Sequence, residues 1–379
     1  MPLTEAQQFV LGKVHSRAKF LVGNKTDIPK ILLIKLGAVG ELVMASPFFD
    51  QLRKHFPHSE IVLVVGRSSY AAVEHNPNIN RFILADDLDL YRGGLIRRSL
   101  EFFRLICKLR KEDFDLSFVL ERGMAFRLLS CLAGIPVRVG FESVREDFFL
   151  THSVPGHQIQ NESESYLDLL RKMDIPAVFE KTYYYLSDEE KDFKDLFLER
   201  HSIASGEQVV AIAPGGGGDA RSKTITRHWP EQNYIELIHR FQSERSSRIL
   251  LVGGPDDREI TNRIIQISPD CLDATDLSLG DMASVLRQCN LFVGSDNARN
   301  HIAVAMGVPC IRILGRADSR PPTSFDNVHD ASAAPGKANP SIGEKFSKSS
   351  DAEFPVAVSV DEVWRHLKTI GGYCQIGMK

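Results

Sequence analysis

Four consecutive glycines in the second half of the chain mark a place where a phosphate group can bind. Gly215 to Gly218 follow the apolar run "VVAIA" and let the backbone approach a ligand closely, because they lack Cβ atoms. Backbone amides and the cations that come next suit a diphosphate. The run has neither the Gly-Lys-Ser/Thr ending of a Walker A loop nor a GxGxxG pattern, so nucleoside triphosphate hydrolysis fits poorly. The alternative is a surface loop with solvated charges. The phosphate-binding candidates are Gly215, Gly216, Gly217, Lys223 and Arg227.

A polar turn after another apolar run could serve the same ligand. In "LFVGSDNARNHIAVAMGVP" a candidate strand ends at Gly294, Asp296 and Asn297 occupy the turn, and His301 follows. Ligands of open α/β sheets bind beside the carboxyl ends of the strands, so these three side chains are binding candidates. The alternative is that Asp296 caps a helix and that His301 is a satisfied core histidine.

Two further turns supply candidates for contact with a nucleoside. Asp257 lies in "LLVGGPDDREI", where its carboxylate could meet a ribose, and Leu277 lies in "DATDLSLGDM", where it could pack against a base. The helix dipole by itself also explains an acidic residue at a helix start, so this second interpretation of Asp257 stays open.

The stretch "KLGAVGELVMASP" places a carboxylate, Glu41, directly after the second glycine of a turn between an apolar run and a helical pattern. A glycine turn of this kind usually holds a phosphate, but the other half of the chain already offers a phosphate site. A carboxylate is ionised at neutral pH and can accept a proton from a hydroxyl group, which makes Glu41 a candidate general base. The alternative is a charge that only stabilises the helix start.

Basic residues concentrate in the first half of the chain. The formal net charge is -3, so the whole chain does not attract nucleic acid, and an anionic partner must meet a local patch. A phosphorylated or acidic glycolipid or an anionic membrane surface would suit these residues, as would solvent around a helix face. The patch comprises Arg92, Arg97, Arg98, Arg104, Lys108, Arg110, Lys111, Arg122, Arg127 and Arg138, with Arg122 and Arg98 as the candidates for partner contact.

The elements that must position these residues follow an alternating pattern. Short apolar runs alternate with helical patterns, which predicts an α/β protein with parallel sheets. We expect an N-terminal Rossmann-like domain over 1–180, a C-terminal Rossmann-like domain over 181–355 that is interrupted by a long loop over 326–355, and a helical segment over 356–379 that could pack back on the N-terminal domain. The predicted strands are 31–36, 61–66, 81–84, 114–120 and 137–140, then 209–213, 248–253, 291–293 and 310–314.

Composition sets the class of protein. A chain of 379 residues with 43% hydrophobic and 25% charged residues predicts two globular domains. Six cysteines without a CxxC pair indicate buried free thiols and no metal spacing. No apolar run approaches the ~18 residues that span a bilayer, and no signal segment is evident, so we expect a cytoplasmic protein. Residues 1–28 predict a helix packed on the first domain, with membrane-surface contact as the alternative.

These motifs, in this order, resemble glycosyltransferase family 9, the ADP-heptose:lipopolysaccharide heptosyltransferases. The resemblance extends from about Lys30 to Ile370, and its most specific parts are "HWP" after a cation and "SDNARNHIAVAMGVPCIRILG". It implies a GT-B architecture, with two Rossmann-like domains facing across a cleft. It also implies an inverting transfer in which an acceptor hydroxyl displaces a nucleoside diphosphate from a sugar. The donor would be a nucleotide sugar, expected to be ADP-linked, with no further cofactor and no metal.

Carried over position by position, the resemblance gives each candidate a role. Glu41 would be the catalytic base, where the family usually has Asp. Arg227 would meet the donor phosphates. Asp296, Asn297 and His301 would line the donor pocket, although Asn297 stands where the family has a hydroxyl residue. The acceptor, a lipopolysaccharide core or related anionic glycan at the inner membrane, would contact Arg122 and Arg98.

Two other functions share these features. A GT-B nucleotide-sugar epimerase would have the same donor site without an acceptor surface. A non-catalytic relative would bind the nucleotide sugar without turning it over.

Overall fold

The molecule consists of two α/β units, which meet in the sequence between Tyr185 and Leu186. The sequence predicts this boundary after residue 180. The structure is a computed structural model. The described residues are 28–142, 148–156, 161–216, 229–314, 328–332, 358–367 and 370.

The first unit is built on a parallel six-stranded sheet with the strand order β3-β2-β1-β4-β5-β6. Its first strand is fully buried, and alternate residues enter two different apolar clusters: Ile31 and Leu33 join one, and Leu32 and Ile34 join the other. A strand that is covered on both faces needs a continuous apolar run, as parallel sheets do. In chain order the elements are β1 (Ile31–Ile34), α1 (Val39–Met44), α2 (Ser46–His55), β2 (Ile61–Gly66), β3 (Arg81–Ala85), α3 (Asp87–Arg92), α4 (Leu95–Arg110), β4 (Leu116–Val119), α5 (Met124–Leu132), β5 (Val137–Glu142), β6 (His152–Pro155) and α6 (Glu162–Arg171).

The second unit repeats this plan with a parallel sheet of order β12-β11-β10-β7-β8-β9. The strand after residue 208, "VVAIA", is buried along its whole length and lies in the middle of that sheet. The elements are α7 (Asp188–Arg200), β7 (Val209–Ala213), α8 (Glu231–Arg245), β8 (Arg248–Val252), α9 (Arg258–Ile267), β9 (Leu272–Ala274), α10 (Leu279–Leu286), β10 (Leu291–Ser295), α11 (Ala298–Ala305), β11 (Cys310–Leu314), β12 (Val328–Ser332) and α12 (Val360–Leu367).

The α/β class and the nine strands predicted from apolar runs are confirmed, and the differences occur where local patterns are weak. Three edge or near-edge strands, β6, β9 and β12, carry too few apolar residues to stand out in the sequence. The prediction of a loop beginning at residue 326 is wrong for β12, which pairs with β11. Helix α7 is highly charged, but its start carries a capping box in which Ser187 and Glu190 satisfy each other's backbone amides.

The C-terminal helix α12 packs within the second unit. Its Trp364 contacts Phe241 of α8, with ring centroids 5.1 Å apart. Just before the helix, the backbone carbonyl of Val358 accepts a hydrogen bond of 2.7 Å from the indole of the fully buried Trp229. The apolar face of α12 is thus covered by its own unit, and the expectation that the segment over 356–379 packs back on the N-terminal domain stays a prediction. Residues 371–379 lie outside the described part of the chain.

The sequence predicts buried cysteine thiols, and the structure confirms this for some of them only. Cys107 is exposed because it lies on the outward face of α4, whereas Cys289 is buried, and burial raises the pKa of its thiol to about 12.

Among the described residues, no helix is both long and apolar enough to cross a membrane. The predicted helix over residues 1–28 lies almost entirely outside the described chain.

Candidate functional site

In each sheet the chain first adds strands on one side of the first strand and then continues on its other side. Several of the candidate residues lie at this switch point. In the first sheet β1 pairs with β2 on one side and with β4 on the other, and in the second sheet β7 pairs with β8 and with β10. Loops that leave the carboxyl ends of such strand pairs diverge, which opens a crevice where ligands bind. Helix α1, which follows β1, carries Glu41 in its first turn, and the loop after β4 carries Arg122. The loops after β7 and β10 carry the glycine run and Asp296.

The turn after β1 holds Glu41 in a fixed place. Gly37 lies so close to Ser69 that a Cβ atom at residue 37 would overlap the Ser69 hydroxyl oxygen, and its φ of +151° also favours glycine. The short helix α1 follows, with Glu41 in its first turn. Gly37, the first of the two glycines that the sequence associates with a phosphate, therefore lets the chain turn closely against its neighbour and present a carboxylate.

Glu41 is the outer end of a row of charges that starts inside the first unit. Its carboxylate forms an ion pair with Lys35, and the Lys35 ammonium also lies 3.5 Å from Glu121. The side chain of Glu41 is 32% exposed, whereas those of Lys35 and Glu121 are 3% and 8% exposed. Glu121 accepts a 2.9 Å hydrogen bond from the backbone amide of Leu36, which ties the loop after β4 to the end of β1. A buried cation thus orients Glu41.

An aromatic side chain covers the inner part of this row. The Lys35 ammonium lies over the ring of Tyr166, 5.7 Å from its centroid. Burial raises the pKa of the Tyr166 hydroxyl far above its usual range, and the carboxylates of Glu162, Glu41 and Glu121 raise it further. Tyr166 therefore stays neutral and contributes a low-polarity wall that strengthens the ion pair beside it.

The two candidates for acceptor contact lie on different elements. Arg122 follows β4, pairs with Glu162 at 3.1 Å and donates a 2.8 Å hydrogen bond to the carbonyl of Gly156, yet its side chain remains 36% exposed. Arg98 lies in the first turn of α4 and is exposed, with a hydrogen bond to the Tyr91 carbonyl. Arg122 is therefore held next to the Glu41 row, while Arg98 belongs to the outer surface of α4.

In the second unit, the start of the glycine run is fixed by a buried carboxylate. A Cβ atom at Gly215 would overlap the Asp257 side chain. The other oxygen of Asp257 accepts from the Gly254 amide at 2.9 Å and pairs with Arg299 at 2.7 Å. Burial lowers the pKa of Arg299, and Asp257 opposes that effect. Asp257, which is 4% exposed, holds three loop ends together in this structure, and its predicted contact with a ribose stays a prediction.

Asn297 joins the glycine run to the turn after β10. Its side-chain oxygen caps α11 by accepting from the amides of Arg299 and Asn300 at 3.0 and 3.2 Å. Its side-chain amide donates to the Gly215 carbonyl at 3.3 Å. One asparagine therefore satisfies the helix start and positions the first glycine, with its oxygen accepting and its amide donating.

Asp296 and His301 are brought together, and a buried arginine joins them. Asp296 Oδ1 lies 3.5 Å from His301 Nε2 and 3.3 Å from a guanidinium nitrogen of Arg312. Arg312 also pairs with both oxygens of Asp330, at 2.8 and 2.9 Å. Burial lowers the pKa of Arg312, but its ion pairs with Asp330 and Asp296 outweigh that effect and raise it. This network fixes Asp296 at the carboxyl end of β10.

The remaining candidates are only partly placed. Gly216 is buried beside Gly215, and Leu277 is half-buried in the turn between β9 and α10. Gly217, Lys223 and Arg227 lie outside the described residues. The segment that carries them ends at Trp229, whose buried ring meets Tyr234 edge to face with centroids 4.8 Å apart.

Sequence reasoning missed Lys35, Glu121 and Arg312 as site residues. Lys35 carried a usable signal, because a lysine between the apolar run "ILLI" and Leu36 continues a buried strand and needs a partner. Glu121 carried little signal, since its role depends on the pairing of β1 with β4.

Comparisons with known proteins identify a family for the chain. The family profile "Glycosyltransferase family 9 (heptosyltransferase)" matches residues 102–329, more than half of the chain. Lipopolysaccharide heptosyltransferase 3 from Escherichia coli is 24% identical over 289 residues, which cover 74% of this chain and 81% of that protein.

Solved structures show the same fold. The E. coli ADP-heptose lps heptosyltransferase II structure superposes with a TM-score of 0.69 at 19% identity and covers 90% of this chain and 98% of that chain. E. coli heptosyltransferase WaaC with ADP-2-deoxy-2-fluoro heptose gives a TM-score of 0.67 at 17% identity and covers 90% and 99%. The fold is therefore GT-B.

Proposed function

The chain belongs to glycosyltransferase family 9, and from that membership we propose that it transfers a heptose-like sugar from an ADP-linked donor to a lipopolysaccharide core or a related anionic glycan. The names of two similar proteins support this choice: one is a lipopolysaccharide heptosyltransferase, and another was solved with an ADP-heptose analogue. The observation that carries the proposal is the carboxylate of Glu41, paired with the buried Lys35 where the loop after β1 leaves the first sheet.

The proposed reaction is a single displacement with inversion. The acceptor hydroxyl attacks the anomeric carbon and gives its proton to Glu41. The bond between that carbon and the donor phosphate oxygen breaks, and the nucleoside diphosphate leaves with the electron pair. Lys35 keeps Glu41 ionised before the transfer and fixes its direction.

The donor is proposed to bind the second unit. The amides after β7, together with Lys223 and Arg227, would hold the diphosphate, and the sugar would meet Asp296, Asn297 and His301. With two cations and backbone amides for the diphosphate charge, the reaction would need no metal. Asp257 and Leu277 stay candidates for the nucleoside. Arg122 and Arg98 are the proposed acceptor contacts, and the reaction is proposed to take place in the cytoplasm at the inner membrane.

The test is Glu41→Gln, which keeps the size of the side chain and removes its ability to accept a proton. A thermal-shift screen of nucleoside diphosphates and their sugars first selects the donor. We expect kcat to fall about 10²–10⁴-fold with little change in donor affinity, because general base catalysis is worth that much. Glu74→Gln is the matched control, since the Glu74 side chain is also 32% exposed in the same unit.

The result separates the candidate functions. A Glu41→Gln variant with normal turnover overturns the assignment of the base. Donor conversion that proceeds without any acceptor and yields an isomeric nucleotide sugar indicates an epimerase. Donor binding without turnover, with every acceptor tried, indicates a non-catalytic relative.

A further inference from the structure

Helix α4 exposes an apolar surface on the side that faces away from its core. Its inward face is formed by Leu105 and Leu109, which are buried. Its outward face carries a run of apolar side chains, called here the outward stripe. The outward stripe consists of Ile96, Leu100, Phe103 and Cys107.

The spacing of the outward stripe makes it continuous. Its members follow one another at intervals of four, three and four residues, which places them on one side of an α-helix. Ile96, Leu100 and Phe103 are 76%, 64% and 64% exposed, so nothing in the described chain covers them. Single exposed apolar residues are ordinary, but aligned large ones on one helix face mark a surface that meets another apolar phase.

The charges on the helix that carries the outward stripe are mostly basic. Within α4 the sequence has five basic residues and one acidic residue, a net charge of +4, whereas the whole chain has a net charge of -3. The one acidic residue in the sequence of α4, Glu101, is buried and paired with Arg104 at 2.5 Å. Arg97, Arg104 and Lys108 flank the stripe on one side of the helix, and all three are exposed.

We propose that the outward stripe of α4 inserts into the interface of a bilayer that contains anionic phospholipid, with the flanking basic residues on the lipid head groups. A helix with Phe, Leu and Ile on one face and Lys and Arg beside them is suited to that interface. The inward face of α4 is already packed on its unit, so binding requires no folding of the helix.

Charge favours a membrane over a second copy of the chain. In an antiparallel two-fold dimer through the outward stripe, Arg97, Arg104 and Lys108 of one copy would approach the same cations of the other, and like charges in an interface are costly. An anionic lipid surface supplies the opposite charge, worth about 1 kcal/mol per basic residue near the surface, or roughly a fivefold gain in partition for each.

The idea that α4 carries the enzyme to a lipid-linked acceptor rests on the proposed function, but lipid binding itself does not. The experiment therefore measures binding of the full-length protein to vesicles of phosphatidylglycerol and phosphatidylcholine, and to vesicles of phosphatidylcholine alone. We expect binding to the first and weak binding to the second, with binding that falls as salt is raised.

The decisive variant replaces two residues of the outward stripe, Ile96→Ser with Phe103→Ser. We expect the partition coefficient on anionic vesicles to fall roughly 100-fold, from the apolar area that two such side chains bury. Arg97→Glu with Lys108→Glu keeps the stripe and should abolish the preference for anionic lipid. Leu196→Ser is the matched control: Leu196 lies on α7 of the second unit, is 63% exposed, and should leave binding unchanged.

Three outcomes overturn the proposal. The first is vesicle binding by the Ile96→Ser, Phe103→Ser variant that equals that of the wild type. The second is a wild-type dimer in light scattering that this variant dissociates, without vesicle binding, which identifies a second copy as the partner. The third is a variant that loses only thermal stability and binds vesicles as the wild type does, which indicates that the stripe is packed within the protein itself. Turnover of a water-soluble acceptor should be normal in this variant, so a failed glycosyl transfer assay and a failed vesicle assay are distinguishable.

Discussion

Replacing Lys35 by Met tests whether the buried charge row positions Glu41. The variant keeps the apolar stem of the side chain and removes the ammonium group. Glu121, which is almost fully buried, then loses the cation 3.5 Å away but keeps its hydrogen bond from the Leu36 amide. Glu41, which is partly exposed, loses the partner that fixes its direction.

The expected loss of stability follows from the geometry of that row. At 3.5 Å, one unit-charge pair corresponds to a gross attraction of about 5 kcal/mol at an effective dielectric constant near 20. Hydration of the charges in the unfolded chain offsets part of it, and breaking a buried pair costs about 3–5 kcal/mol in practice. Because the Leu36 amide still donates a hydrogen bond to Glu121, we expect the free energy of unfolding to fall by about 3 kcal/mol. For a unit of this size, that corresponds to a melting temperature about 6–12 °C lower.

The assay combines thermal unfolding with turnover in a cycle of variants. Lys35→Met should lower kcat about 10–100-fold, the range that a misplaced catalytic group can cost. In a Glu41→Gln background the same change should lower kcat little further, because Lys35 acts through Glu41. Lys30→Met is the matched control: this lysine also pairs with a glutamate, at 2.9 Å, but it is 26% exposed, and its loss should cost about 1 kcal/mol without affecting kcat.

Two results would refute this reasoning. One is a Lys35→Met protein as stable as the Lys30→Met protein, which would mean that the buried pair is not worth the energy assigned to it. The other is an equal loss of kcat in the presence and absence of the Glu41 carboxylate, which would leave Lys35 with a role independent of Glu41.

Two further predictions concern other parts of the chain. Gly215→Ala should lower the free energy of unfolding by about 1–3 kcal/mol in urea denaturation and weaken ADP binding in calorimetry, because the new Cβ atom would overlap Asp257. Gly94→Ala is the control, since a Cβ atom at residue 94 meets open space, and it should change neither quantity. Equal effects of the two substitutions would contradict the overlap. Arg81 and Lys30 lower the pKa of Glu112 to about 2. The ionised Glu112 therefore stabilises the folded protein above about pH 4.5, and this stabilisation is lost as the pH falls through 2. Glu112→Gln should therefore cost about 1–2 kcal/mol at pH 7, discounted for partly exposed partners, and the two proteins should converge in stability near pH 2; a constant difference would contradict the ion pairs.

Much of the fold follows from local sequence, because buried parallel strands need continuous apolar runs. The runs beginning at Ile31 and Val209 each predict the central strand of a sheet. The edge strand β12, "VHDAS", has the composition of a loop, and its pairing with β11 depends on residues far from it in the sequence.

The candidate sites could be predicted only where one turn carries several of their residues. The turn that holds Glu41 and the turn that holds Asp296 are visible as sequence motifs. The partners that fix them are not: Glu121 is 85 residues from Leu36, and Arg312 reaches Asp296 from a neighbouring strand. Charge pairs across a sheet depend on strand order, which no local pattern specifies. The sequence also names Lys223 and Arg227, which stay predictions.

The two apolar cores have a consequence for how such enzymes can change over generations. The clusters that flank the first sheet draw their residues from the chain before Tyr185, and the main cluster of the second unit draws its residues from the chain after Leu186. A genetic crossover between two relatives near this point would leave each core with its own complement of side chains. Under the proposed function, a lineage could then acquire a new acceptor preference by exchanging the first half of its gene while it inherits the donor preference of the second half unaltered.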